Sequence, residues 1–336
     1  MSRHLVWVLA LSACVEKDLG ATDDKDVNGG DTADSDTDTD TDTDTDVPCT
    51  ATVIGNEPAD GATAVYYRDP IEVSFEGDGS TAAFTLTDAG GTAAAFETTW
   101  TEGNVQAILS TVLAADTTYT LGVDVCGVAT SSSFTTSSLG TPLTEDPSSL
   151  VGRAFVWRLS ESTITEPSFL DFVASTYLTV PLLISISSAG SSEIDLLGGV
   201  GYHENDGSYT QVMDEETWDF PAGSFEEQPY FEAYADYITV SYNGIPIPIE
   251  QFHLSGTFTA DGTSIEKGVG SGFGDSRHMG PLLNQAADDY SAVCRIAVKA
   301  GVECVPCSDG EPYCMYIVAE DITARWELGL TMEAVE

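Results

Sequence analysis

Positive charge is the scarcest commodity in this chain. Its 336 residues carry 11 Lys+Arg against 55 Asp+Glu, for a formal net charge of −44, and only Lys17, Lys25, Lys267 and Lys299 are lysines. A field of this sign repels phosphate backbones, so a nucleic-acid binder, which needs a basic footprint, is excluded. Electrostatic docking onto anionic lipid is excluded for the same reason. Histidine is nearly absent too, with His203, His253 and His278 the only three beyond the first turn of chain. No Gly-x-Ser-x-Gly elbow occurs, since Ser271 has Val269 two residues before it. The glycine run Gly268-Val-Gly270-Ser-Gly272-Phe-Gly274 fits neither Gly-x-Gly-x-x-Gly nor a P-loop. It reads as close strand approach or a flexible hairpin. Apolar residues are not lacking. At 42% hydrophobic and 9% aromatic the chain can bury a core, and its length suggests two domains.

The N-terminus is an address. Arg3 and His4 precede an apolar run, Leu5 to Leu11, and the small residues Ser12 and Ala13. This is the layout of a secretory signal. The run is too short for a membrane span, which needs roughly 17–25 residues. Leu11-Ser12-Ala13-Cys14 resembles the lipobox of bacterial lipoproteins. The resemblance implies a signal peptide over residues 1–13, cleavage before Cys14 and lipid on that cysteine. Val15, rather than Asp, follows the cysteine, which in that family implies the outer membrane or cell surface. Residues 14–48 then form a tether that ends in alternating Asp and Thr from Asp34 to Asp46. Like charges on alternate positions extend the backbone, and nothing here can enter a core. The Asp-x-Asp-x-Asp spacing lacks the turn glycine and distal Glu of a calcium loop, so no dedicated metal site is expected.

Cysteine usage agrees with export. Beyond Cys14 there are six: Cys49, Cys126, Cys294, Cys304, Cys307 and Cys314. An even number in an exported chain reads as disulfides. Cys49 and Cys126 bracket the first folded region and are paired here. The other four allow three connectivities, of which Cys294 with Cys304 and Cys307 with Cys314 is favoured. A zinc site at Cys304-Val-Pro-Cys307 lacks a second tight pair. No cofactor is expected.

Residues 49–138 show short alternating runs such as Ile71-Glu-Val73-Ser-Phe75 and Tyr119-Thr-Leu121-Gly-Val123-Asp-Val125. Period-2 alternation over some 90 residues argues a β-sandwich. Three motifs sharpen it. Pro58-Ala-Asp60-Gly61 leads into the Ile71 strand, Leu113-Ala-Ala-Asp116-Thr117-Thr118-Tyr119 is similar to the tyrosine corner of fibronectin-type sandwiches, and Ser133-Phe134-Thr135-Thr136 resembles a closing strand. Together they resemble a bacterial Ig-like domain of the surface-layer-protein type. That resemblance implies a spacer or interaction module, and a Tyr119 hydroxyl bonded back to upstream backbone.

Residues 139–149, rich in Ser, Thr, Gly and Pro, read as a linker. From 150 to 336 strand patterns resume, with hairpins at Asn243-Gly244 and Asp261-Gly262. Pro246 and Pro248 put the strand after the first of these on a sheet edge. Residues 282–297 carry 3–4 spacing and predict one helix. The fold class expected is mainly β: an Ig-like sandwich, then a β-rich barrel or sandwich with one short, disulfide-stapled helix.

Chemistry is thin in this second domain. Asp275-Ser276-Arg277-His278 places acid, hydroxyl and imidazole together, but triad members converge from separate elements. An Asp275–Arg277 structural pair is the simpler reading. His203 falls on a solvated loop and His253 within a strand. The richest stretch, Asp214 to Tyr237, holds eight acids and seven aromatics and no base. Trp218, Phe220, Tyr230 and Tyr234 are its candidate ligand-binding residues, able to stack a sugar or cage a cation. The alternative is a long loop pinned to the sheet by its aromatics. The expectation is therefore a lipid-anchored, non-enzymatic envelope protein. Its partners would be the membrane, through Cys14, and an envelope glycan or protein. An exported hydrolase using acids, or a cation-binding domain, are the alternatives.

Overall fold

The computed structural model describes residues 49–172, 180–242 and 244–335. The signal peptide, Cys14, the tether, the start of the strand read from Tyr177 and Asn243 of the hairpin lie outside the described residues. Among the described residues, no helix is long and apolar enough to cross a membrane.

Two four-stranded sheets come first. Their strands are β1 (Thr52–Glu57), β2 (Ala62–Val65), β3 (Ile71–Glu76), β4 (Ala83–Asp88), β5 (Glu97–Trp100), β6 (Gln106–Ser110), β7 (Thr118–Val125) and β8 (Val128–Thr136). One sheet has the order β1-β3-β6-β5 and the other β2-β8-β7-β4. Alternation dictates the packing. Ile71, Val73 and Phe75 on β3 meet Leu121, Val123 and Val125 on β7 in one buried core. β2 runs parallel to β8, whereas the other pairings in these sheets are antiparallel. Tyr119 is buried, and its hydroxyl accepts a hydrogen bond from the Ala114 backbone N–H at 2.9 Å.

The rest of the described chain is a closed barrel, which resolves the barrel-or-sandwich alternative. Its strands are β9 (Ala154–Arg158), β10 (Thr163–Glu166), β11 (Pro181–Ala189), β12 (Glu193–His203), β13 (Tyr209–Gln211), β14 (Trp218–Ser224), β15 (Tyr230–Tyr242), β16 (Ile245–Phe258), β17 (Ser264–Asp275) and β18 (Cys314–Trp326). The ring runs β9-β11-β12-β14-β15-β16-β17-β18 and closes by β18 pairing with β9. That makes eight antiparallel strands. β10 lies on a free stretch of β18, and β13 on β12. Closing a sheet this small demands sharp local bends. Register shifts supply them, with left-handed residues at Gln251 on β16 and Lys267 on β17.

Several expectations need correction here. The acid-rich Asp214–Tyr237 stretch is not a long loop: most of it is β14 and the first half of β15. β16 is an interior strand of the barrel, not a sheet edge. Its prolines are tolerated because pairing with β17 begins only at Ile249↔Gly274, so Pro246 and Pro248 project beyond that neighbour. The helix α1 spans Ala292–Lys299, shorter and later than the 3–4 spacing predicts. Upstream of it, Gly280–Leu283 is a 3₁₀ turn ended by Asn284 in the left-handed region. The segment 139–149, read as a linker, makes contacts of its own. Leu143 packs against the barrel core, the Thr144 N–H donates to Ala260 O at 2.8 Å, and Gly140 lies under the Tyr67 ring.

Residues 50–336 form one compact unit. The sheet pair meets the barrel through Tyr66, Tyr67 and Arg68. The Tyr66 hydroxyl bonds Thr257 Oγ1 at 2.7 Å, Arg68 pairs with Glu227 at 2.6 Å, and its guanidinium lies 3.7 Å from the Tyr230 ring centroid. Cys294–Cys304 and Cys307–Cys314 are bridged, the favoured connectivity of the three, and Cys49 and Cys126 are disulfide-bonded as well. All six described cysteines are oxidised, which marks an oxidising, exported compartment.

Candidate functional site

An eight-stranded barrel is just wide enough for side chains to fill, or to hold one small ligand. This barrel is filled at one end and leaves a cavity at the other. At the end where Tyr230 faces Thr257, Phe155, Phe225 and Phe231 each pack on Phe258, with ring centroids 5.3–5.9 Å apart. All four are fully buried, and burial on this scale stabilises by about 1.5–3 kcal/mol per ring. This is also the end against which the sheet pair docks.

The opposite end is hollow. β17 carries a glycine at every second position from Gly268 to Gly274, and these four are buried while Val269 and Phe273 are only partly so. From Gly268 to Gly274 the inward face of β17 therefore has no side chains. A Cβ on Gly270 would lie 3.3 Å from Phe252 and Trp157, and one on Gly272 would lie 2.6 Å from Ile249 Cγ2. The missing atoms let side chains of β16 and β18 close in, and a partly open cavity of about 80 Å³ lies beside them. Its walls are Ile238 and Val240 from β15, Ile247, Ile249 and Phe252 from β16, Gly270 to Gly272 from β17, and Ile317 and Ala319 from β18. Trp157, Leu159 and Leu182 complete them, with Ile164 and Leu170 from the β10 region. The surface they present is entirely apolar. The one nitrogen on the wall, Trp157 Nε1, is turned to Ser162 Oγ at 2.7 Å.

Met279 and Leu282 close part of the cavity from the segment after β17. That segment is pinned. Ser276 Oγ donates to Tyr313 O at 2.6 Å and contacts Cys294 Sγ at 3.3 Å. Arg277 grips the buried Asp275 through Nε and Nη2, and reaches Asp309 at 2.6 Å through Nη1. These two carboxylates, Asp275 first, push the guanidinium pKa further up and keep it charged. The Asp275-Ser276-Arg277-His278 cluster is thus structural. With α1, whose Val293 sits in the barrel core, and the Cys294–Cys304 bridge, it forms a stapled cap.

The four aromatic candidates are not brought together. Trp218 and Phe220 are core residues, the Trp218 ring lying over Gly198 and Phe220 packing edge-on to Phe252. Tyr230 is occupied beneath Arg68 and donates to Glu232 at 2.7 Å. Burial, with that carboxylate beside it, pushes its phenol up to about 12. Only Tyr234 is open, 58% exposed and stacked on His253 at 4.5 Å. Burial lowers the His253 pKa and favours the neutral ring. His203 lies tilted against Tyr209 and His278 edge-on to Tyr290, and neither lines the cavity wall. Among the described residues no group of three or more His, Cys, Asp or Glu side chains is placed to hold a metal ion. Sequence reading looked for aromatic and acidic side chains and missed the cavity. Its visible trace was the alternating glycine run.

An exported two-sheet unit docked on an eight-stranded barrel with an apolar cavity is the class that fold and site define. No family model matches the chain, and no curated protein does. Among solved structures it is similar to CopC from Methylosinus trichosporium OB3b, at 12% identity and a TM-score of 0.24, over 26% of this chain and 94% of that one. It is also similar to a titin structure at 11% identity and a TM-score of 0.18, over 56% of this chain and 90% of that one. At these values the likeness carries neither a family nor a function.

Proposed function

We propose that the chain is a lipid-anchored protein of the outer membrane or cell surface whose barrel is a small-molecule binding module. The apolar cavity carries the reading. A compact barrel fills its interior unless room is left, and here a partly open, wholly apolar cavity remains beside the glycine run of β17. The two-sheet unit serves as an Ig-like stem. Its support is the face-to-face sheet pair, the parallel β2–β8 contact and the Tyr119 bond to Ala114. The anchor rests on the lipobox-like Leu11-Ser12-Ala13-Cys14, and the oxidised cysteines agree with export.

Two experiments test the two halves. Cys14→Ala should move the protein from the membrane to the soluble fraction, and unchanged fractionation would remove the anchor from the account. For the binding half, xenon serves as a ligand without functional groups. Under xenon the methyl resonances of Val240, Ile249, Ile317 and Met279 should shift while those of β3 and β7 stay still. Ala319→Leu, which fills the space, should abolish the shifts. Equal shifts in the variant would show that xenon sits elsewhere.

A further inference from the structure

The cavity wall also selects the chemistry of its occupant. We infer that the barrel takes an uncharged aliphatic group, seated end-first, with any polar remainder of the molecule left outside. The inference rests on the barrel being a ligand site, and three observations carry it further.

The first is the absence of any polar atom on the exposed wall. A carboxylate, phosphate or ammonium brought inside would lose its hydration and gain no partner. Nor do the nearby arginines among the described residues offer one. Arg277 is engaged by Asp275 and Asp309, and Arg158 by Glu161 at 2.8 Å. The chain's net charge of −44 opposes anions before they arrive.

The second is size. The cavity is about 80 Å³, room for a few groups of water or methylene dimensions. A cavity that accepts benzene runs to about 150 Å³, so a ring is too broad to sit fully inside. A narrow chain end fits, and the partly open side lets the rest of a longer molecule trail out.

The third is the wall's composition. Apart from Trp157 and Phe252 the side chains that form it are chiefly branched aliphatics, and the Gly270–Gly272 floor brings an occupant against backbone. Such a surface gains affinity through each methylene it covers. That gain is roughly fourfold per methylene.

Straight-chain primary alcohols from propanol to octanol, the carboxylates of equal length, and benzene can be titrated into the full chain, with binding read from the lining methyl resonances. Affinity for the alcohols should rise roughly fourfold per methylene over the first few carbons and then level off as the chain emerges. Carboxylates should bind at least tenfold more weakly at each length, and benzene more weakly than the butyl chain. In Ala319→Leu, and independently in Gly270→Ala, the slope with chain length should collapse while the melting transition stays cooperative. Carboxylates that bind as tightly as alcohols, or affinity that does not depend on length, would overturn this inference. If xenon still shifts the lining methyls in that case, the ligand site stands and only its chemical class is wrong. If neither xenon nor any alcohol moves them, the ligand site falls as well.

Discussion

Tyr66 shows how single side chains hold the stem to the barrel. Its hydroxyl and that of Thr257 form a buried bond, and Thr257 is 0% exposed. Burial pushes the Tyr66 phenol well above its ordinary range, so it stays protonated at any working pH. Tyr66→Phe keeps the ring but leaves the Thr257 hydroxyl without this partner in the dry interior. The expected loss is about 1–3 kcal/mol in denaturant unfolding. Arg68→Ala removes a half-exposed ion pair and should cost less, because solvent already screens its Glu227 partner. A Tyr66→Phe variant as stable as the parent would mean that the stem is held by something other than this contact. His253 and Tyr234, stacked on the barrel's outer face, have no comparable structural duty.

At the scale of elements, the cavity is made by one strand and covered by one stapled cap. The cap has little regular structure: two 3₁₀ turns, α1 of eight residues, and loops up to β18. Disulfides supply what secondary structure does not. A bridge closing a loop this short stabilises by about 2–3 kcal/mol. Cys294→Ser with Cys304→Ser should lose about that much, seen in denaturant unfolding. It should also broaden the Met279 methyl signal, leaving resonances of the two-sheet core unchanged. Strands were the most legible part of the sequence where inward residues alternate, as Ile71, Val73 and Phe75 do on β3. The disulfide connectivity of the cap and the Asp275–Arg277 pair were legible too. Closure of the barrel was not, since it depends on β18 meeting β9 across some 170 residues, a pairing no local pattern announces. The cavity was hidden for a different reason. A cavity is defined by atoms that are missing, and sequence motifs are defined by atoms that are present. The alternating glycines were visible, but only the barrel shows that all of them face inward.

Across the whole molecule, the acidity is spread rather than focused. Residues 15–48 carry 13 acids against two bases, while 151–336 carry 29 against seven, and the Asp/Thr tether is thus a minor share. Charge distributed over folded surface favours solubility at an exposed site. It also contrasts with the barrel interior, where the cavity wall is wholly apolar. The proposal stands or falls on whether this interior is a site rather than a packing fault. Diffraction from crystals of the protein held under xenon tests it most directly. The account predicts a xenon atom inside the barrel, between Trp157, Val240, Ile249 and Gly270, that disappears in Ala319→Leu. A barrel that stays empty under xenon, or a xenon atom that persists in that variant, would contradict it.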